Sequence, residues 1–299
     1  MKRQFFILSV LVFLFSVAFM SCKKSTDLTD QNNTIKTDKP FPENDNSIIV
    51  MPDDGSPGLF QVNGHNEKYN TFYGPQVQIG NGHMRSWINI THAGKPLAIG
   101  IEMTDGALNG LPTDPNNHAA ATYRLRLHQK AHAVTPFDHI MINWNVLGHP
   151  PPPIYGLPHF DMHFYKVSMD EVMHTTDPAK FNILPPAGYI PTAYLFTGGV
   201  PMMGAHWIDL LSPEVLPPSN PAYAAFTHTM IYGSYDGEVT FVEPMITRAF
   251  LQSGATVHKW YRQPVNFSPT GTNYPQRYNI WENDDNGRHY ISLDQMMMR

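Results

Sequence analysis

The chain has 299 residues, with 20 Lys and Arg against 25 Asp and Glu for a formal net charge of -5. The basic residues form no runs, so the electrostatic footprint of a nucleic-acid binder is absent. A single cysteine excludes an internal disulfide, and it leaves any transition-metal site to the nitrogen and oxygen donors of a chain that carries 15 His.

The first predicted element is an export signal. Lys2 and Arg3 give a short basic start, Phe5 to Phe19 form an apolar run, and Ser21 precedes Cys22 where the run ends. A transmembrane reading is weaker, since the run is shorter than the ~20 apolar residues of a spanning helix and no comparable run follows it. FMSC resembles the cleavage box of bacterial lipoproteins, whose cysteine is lipidated and becomes the mature N-terminus. Residues 1–21 are thus expected as a leader, with the membrane as partner through a lipid on Cys22, at the periplasmic face or the cell surface. The plainer alternative is an ordinary signal peptide with a chance cysteine. Residues 22–55, beginning KKSTDLTDQNNTIKTDKPFPENDNS after Cys22, hold too little apolar material to offset chain entropy and read as a flexible stalk. Residues 56–299 have no second linker and are expected to form a single β-rich domain.

Within that region, QVQIGNGHMRSWINIT and PLAIGIEMT are extended runs joined by the turn-like HAGK, a hairpin signature. YRLRLH and FDHIMINWNVLGH give another strand pair, with Ile140, Ile142, Trp144 and Val146 on one face. GHPPPPIYGLP cannot continue a central strand and reads as a stiff polyproline-like loop that delivers His149 and leads into PHFDMHFY. In that octet His159, Asp161 and His163 alternate with Phe160, Met162 and Phe164. As a strand it would carry a polar row on one face and an apolar row on the other.

Ser168 and Glu171 are spaced as a capping box for a short helix, and SPEVL is a second helix candidate with Pro213 at its first position. MGAHWID presents His206, and FTHTM presents His228. TMIYGSYDGEVTFVEPM is the clearest hairpin, with Asp236 and Gly237 at its turn, and it places Glu243 on the face of Val239 and Phe241. QRYNIWENDDNGRHYISL repeats the design with Asn286 and Gly287. The expected fold is mainly β, antiparallel sheets in a sandwich or barrel-like arrangement, with one or two short helices.

The candidate site follows from the polar row. Positions two apart on a strand are roughly 6.7 Å apart, so neighbours can chelate one small cation, completed from other strands. His159, Asp161, His163 and His206 are the expected ligands of one divalent ion such as zinc, manganese or iron. Glu243, buried among apolar residues and in need of a partner, would be its general base or an orienting neighbour. His149 and His228 form a second tier. The bland alternative is a wall of mutually satisfied polar groups, with Glu243 paired to Arg248 or Arg124. No Gly-rich phosphate loop and no GxSxG is present, so nucleotide and serine-hydrolase chemistry have no anchor.

The blocks GNGHMRSW, GKPLAIGIEMTDGALNGLP, FDHIMINWNVLGHPPPPIYGLPHFDMHFY, MGAHWID and IYGSYDGEVTFVEPMITRAFL together resemble the TTHB-type domain family, bacterial exported proteins of unknown function, over roughly residues 58 to 255. The resemblance implies one domain and export, and it carries no established catalytic residues. Two functions from different classes fit the residues. One is a metal-dependent envelope enzyme of hydrolase or lyase type. The other is a non-catalytic, oligomeric binding module in which the same row and the aromatics line a groove for a small molecule or protein.

Overall fold

Alternating β-branched and aromatic residues, broken by Gly, Asn and Asp where the chain must reverse, dictate strands and tight turns. The computed structural model describes residues 58–62, 65–283 and 285–299; the expected leader, Cys22 and the stalk lie outside the described residues. The first strands are β1 (Gly58–Val62), β2 (His65–Tyr73), β3 (Val77–Ile79), β4 (Gly82–Thr91), β5 (Pro96–Thr104) and β6 (Thr122–Arg126). There follow β7 (His139–Asn145), β8 (His159–Tyr165), β9 (Tyr194–Val200), β10 (Gly204–Asp209), β11 (His228–Tyr235) and β12 (Glu238–Thr247). The last are β13 (Val257–Trp260), β14 (Asn273–Tyr274), β15 (Arg277–Asn283), β16 (Arg288–Asp294) and β17 (Met297–Met298).

One sheet runs β1-β2-β4-β5-β16-β15-β13, with β3 also on β4; the second runs β6-β7-β8-β12-β11-β10-β9. All described pairings are antiparallel, and neither sheet closes into a barrel. The two inner faces share one apolar core, to which the first sheet gives Ile88, Ile99 and Ile101 and the second gives Ile140, Phe160 and Phe164. The fold is therefore mainly β, with its sheets layered.

The expected hairpins are present: β4 with β5, β6 with β7, β11 with β12, and β15 with β16. At the β11–β12 turn Asp236 and Gly237 take φ of 53° and 81°, the left-handed pair that matches the twist of the flanking strands. The row of Ile140, Ile142 and Trp144 lies in the core, with Val146 packed against it.

Five short α-helices occur among the described residues: α1 (Gln129–Val134), α2 (Pro152–Tyr155), α3 (Met169–Met173), α4 (Pro178–Phe181) and α5 (Arg248–Leu251). The capping box opens α3 as its spacing predicts, with Ser168 Oγ accepting from Glu171 N and the Glu171 carboxylate accepting from Ser168 N. SPEVL is not a helix. It makes turns in which Val215 N and Leu216 N both donate to Ser212 O, because the prolines at 217 and 218 push the preceding residue out of helical geometry. The proline segment is also not wholly extended. Its last two prolines open α2, where a missing N–H costs nothing.

A further correction concerns β12. The β11–β12 register shifts between Gly233 and Ser234, which pair with Phe241 and Val239 and leave Thr240 as an extra residue. This bulge turns Val239 to the inner core, while Phe241 and Glu243 stay on the outer face.

Candidate metal centre

Strand β8 lies in the interior of the second sheet, between β7 and β12, and its alternation divides the octet cleanly. Phe160, Met162 and Phe164 enter the core between the sheets. His159, Asp161, His163 and Tyr165 take the outer face, where apolar groups of the covering segments, Tyr155, Val172, Val215 and Phe226, close over the sheet. All four outer side chains are buried. The register sets their neighbours: Asn145 pairs with His159, Asn143 with Asp161 and Met141 with His163 on the β7 side, and Met245 pairs with Asp161 on the β12 side.

The polar groups gather as two trios, each of two imidazoles and one carboxylate with ligand atoms within 4.8 Å of one another. The first is His149, His159 and Asp161. Asp161 Oδ1 lies 3.0 Å from His159 Nε2, and Oδ2 lies 3.3 Å from His149 Nε2. Asn145 Nδ2 donates to Asp161 Oδ2 at 2.7 Å. The far nitrogens are engaged with backbone carbonyls: His159 Nδ1 donates to Leu157 O at 2.6 Å and His149 Nδ1 to Pro150 O at 2.9 Å. A carbonyl only accepts, so Nδ1 carries the proton and Nε2 of a neutral ring is a lone pair facing a carboxylate. Although close, His159 Nε2 and Asp161 Oδ1 are buried and make no hydrogen bond.

The second trio is His163, His206 and Glu243. Glu243 Oε2 lies 3.4 Å from His163 Nε2 and 3.7 Å from His206 Nε2. His163 Nδ1 donates to Met141 O at 3.3 Å, and again His163 Nε2 and Glu243 Oε2 are buried without a hydrogen bond. The rings are held by aromatic contacts. Tyr165 stacks on His163, and Phe241 meets both His163 and His206 edge-on.

Burial and charge act differently on the two sets. Burial raises the Asp161 carboxyl, but the charges and contacts of His159 and His149 outweigh it and hold Asp161 well below the usual carboxylate range. Burial likewise opposes a charge on His149, yet Asp161 beside it pushes the imidazole up. In the second trio burial dominates: it drives His163 down to about 3 and His206 down to about 4. Burial, aided by the Asp161 charge, also pushes Glu243 well above the usual range. In the first set the opposite charges favour one another, and in the second burial disfavours a charge on every member.

Of the residues singled out in the sequence, His159 and Asp161 fall in the first trio, and His163, His206 and Glu243 in the second. His149 joins the first because the loop after β7 folds back over β8 and sets its ring 4.7 Å from that of His159. His228 is elsewhere: its Nδ1 bonds the Tyr278 hydroxyl at 2.8 Å and its ring packs on Phe250. The arginines offered as partners for Glu243 point away, Arg248 to Leu108 O and Arg124 to the sulfurs of Met169 and Met173. Asn145 was not anticipated, although the alternation that buries Ile142 and Trp144 also places Asn143 and Asn145 on the opposite face. Tyr155, whose buried hydroxyl has no hydrogen-bond partner beneath the covering loops, carries no sequence signal at all. A third group, Asp105, Glu282 and His289, lies on the first sheet with Asp105 61% exposed.

A protein-family model described as TTHB210-like, hypothetical protein TTHB210, matches residues 91–144. This is a domain of unknown function, and the matched span runs from the end of β4 through most of β7, the strand that carries Met141 and Asn143 to the face of the two trios. No curated protein and no solved structure matches the chain.

Proposed function

We propose that the protein is an exported, lipid-anchored envelope protein whose first trio, His149, His159 and Asp161, binds one divalent ion and supports hydrolase- or lyase-type chemistry. The observation that carries this reading is the convergence of three buried or half-buried donors: with their Nδ1 atoms on backbone carbonyls, His159 and His149 both turn Nε2 to Asp161, at 3.0 Å and 3.3 Å, and the His159 contact lacks hydrogen-bond alignment. Two lone-pair-bearing atoms in such contact repel unless a cation or a proton lies between. Leucine or phenylalanine would fill the same volume at less cost than an unpaired buried polar pair. The backbone carbonyls behind His149 and His159 and the amide of Asn145 behind Asp161 supply the outer hydrogen bonds that orient metal ligands.

Two imidazoles and one carboxylate leave coordination positions for water and substrate, and zinc, manganese or iron suits this donor set. Such an ion makes bound water a nucleophile near neutral pH or polarises a substrate oxygen. The His149 side chain is 33% exposed, so the first trio has an edge through which a small substrate can enter.

Elemental analysis of the chain purified without a metal-binding tag and reconstituted with zinc tests the reading. Bound zinc that is lost in Asp161→Asn supports it, and a wild-type chain that binds none removes it and leaves a proton-sharing wall. The anchoring part has its own test. Cys22→Ser should abolish lipid labelling and release the protein from membrane fractions, and unchanged membrane association would refute the anchor.

A further inference from the structure

We infer that His163, His206 and Glu243 hold a second divalent ion, enclosed by the fold, beside the first. The inference rests on the preceding reading for the chemistry of this face, but its ligands are separate. Glu243 Oε2 stands 3.4 Å and 3.7 Å from the two Nε2 atoms. A cation with bonds of 2.0–2.1 Å in tetrahedral geometry separates its ligands by roughly 3.3 Å, whereas a shared proton would draw the pair to about 2.7–2.9 Å and align it. The separation fits the cation, and the buried atoms His163 Nε2 and Glu243 Oε2 have no other partner.

The surroundings argue for a closed site. His163 and Glu243 are fully buried and the His206 side chain is only 15% exposed, against 33% for His149 in the first trio. Tyr165 and Phe241 fix the imidazole planes, and the Met141 carbonyl fixes the His163 tautomer. Gly233 makes room for this clamp, since a Cβ there would stand 2.0 Å from the Phe241 ring. An ion walled off from solvent leaves slowly because its ligands must part before water can replace them, whereas one at an open edge exchanges ligands readily. The face therefore combines an exchangeable ion at His149, His159 and Asp161 with a retained one at His163, His206 and Glu243.

Zinc stoichiometry separates the two sites. The wild-type chain, reconstituted with zinc and dialysed, should hold two equivalents, one leaving rapidly to a chelator and one slowly. Glu243→Gln and His206→Ala should each keep only the fast equivalent, and His149→Ala only the slow one, with circular dichroism confirming the fold. Two equivalents retained in both Glu243→Gln and His206→Ala would overturn the inference. A single wild-type equivalent lost in Asp161→Asn but kept in Glu243→Gln would overturn it and leave the proposed function standing. A single equivalent with the opposite dependence would remove the proposed function and leave this site. No bound zinc would remove both. Should Glu243→Gln fail to fold, cobalt titration of the wild-type chain decides, with two resolved steps in visible absorption for the inference and one against it.

Discussion

Asn145 donates its amide N–H to Asp161 Oδ2, and this bond fixes which oxygen faces His149 and which faces His159. Asn145→Ala should weaken zinc binding by roughly 10- to 100-fold, the usual effect of removing a group that orients a ligand. A competition titration with a zinc-binding dye measures it, and unchanged affinity would mean that the carboxylate is oriented by β8 alone. His228 offers a residue-scale test of another kind, because it sits apart from both trios. Burial lowers its imidazole to about 4, while the unfolded chain takes up the proton near pH 6.5. Between these values the unfolded state binds more protons. The stability linked to His228 is therefore intact above about pH 6.5 and is lost as pH falls through about 4, by at most about 3 kcal/mol. His228→Gln should flatten that part of the stability curve in urea unfolding followed from neutral to acid pH. A slope equal to that of the wild type would show that the ring stays solvated.

Strand β8 is where the pattern in the sequence and the chemistry of the site meet. Its period-two alternation was legible because a buried strand must sort its side chains between two faces, and the capping box of α3 and the Asp236–Gly237 turn were legible because both are local chemistry. The division into two trios was not. It depends on β12 lying beside β8 although β9, β10 and β11 intervene in the chain, and on the loop after β7 returning His149 to Asp161. Neither is a property of any short window. The bulge that turns Val239 inward was hidden for a related reason, since it arises from the fit of Phe241 over Gly233 on the neighbouring strand. The helix expected at SPEVL failed because the prolines that follow it outweighed the N-terminal signal. The Phe241–Gly233 contact predicts that Gly233→Ala, mild in most strands, should destabilise the protein by about 1–3 kcal/mol through overpacking and also lower the content of the slowly released metal. Urea midpoints together with elemental analysis check both effects. A neutral substitution would mean that β11 can shift without disturbing His163 and His206.

Across the described molecule, the inner faces of the two sheets build the apolar core, and the outer face of the second sheet carries the polar cluster under its covering segments. The segment that carries His149 is joined to the sheet through an apolar cluster in which Tyr155, Phe226, Ile154 and Val215 meet Ile208, Ile231 and Met245. An ion bridging His149 on the loop to His159 and Asp161 on β8 would therefore tie cover to sheet while leaving the core between the sheets unchanged. At free zinc 100-fold above its dissociation constant, such an ion adds about 2.7 kcal/mol to stability, which for a chain of this size raises the melting temperature by roughly 5–10 °C. Its removal by a chelator should lower the melting temperature by that amount. It should also speed amide exchange in residues 146–158 without affecting the strands of the first sheet, because local opening draws on the least tethered segments. Asp161→Asn should abolish the zinc-dependent part of the shift. Calorimetry and hydrogen exchange on the same samples measure the two effects. A melting temperature indifferent to zinc, or exchange that rises uniformly through both sheets, would count against an ion that joins the loop to the sheet.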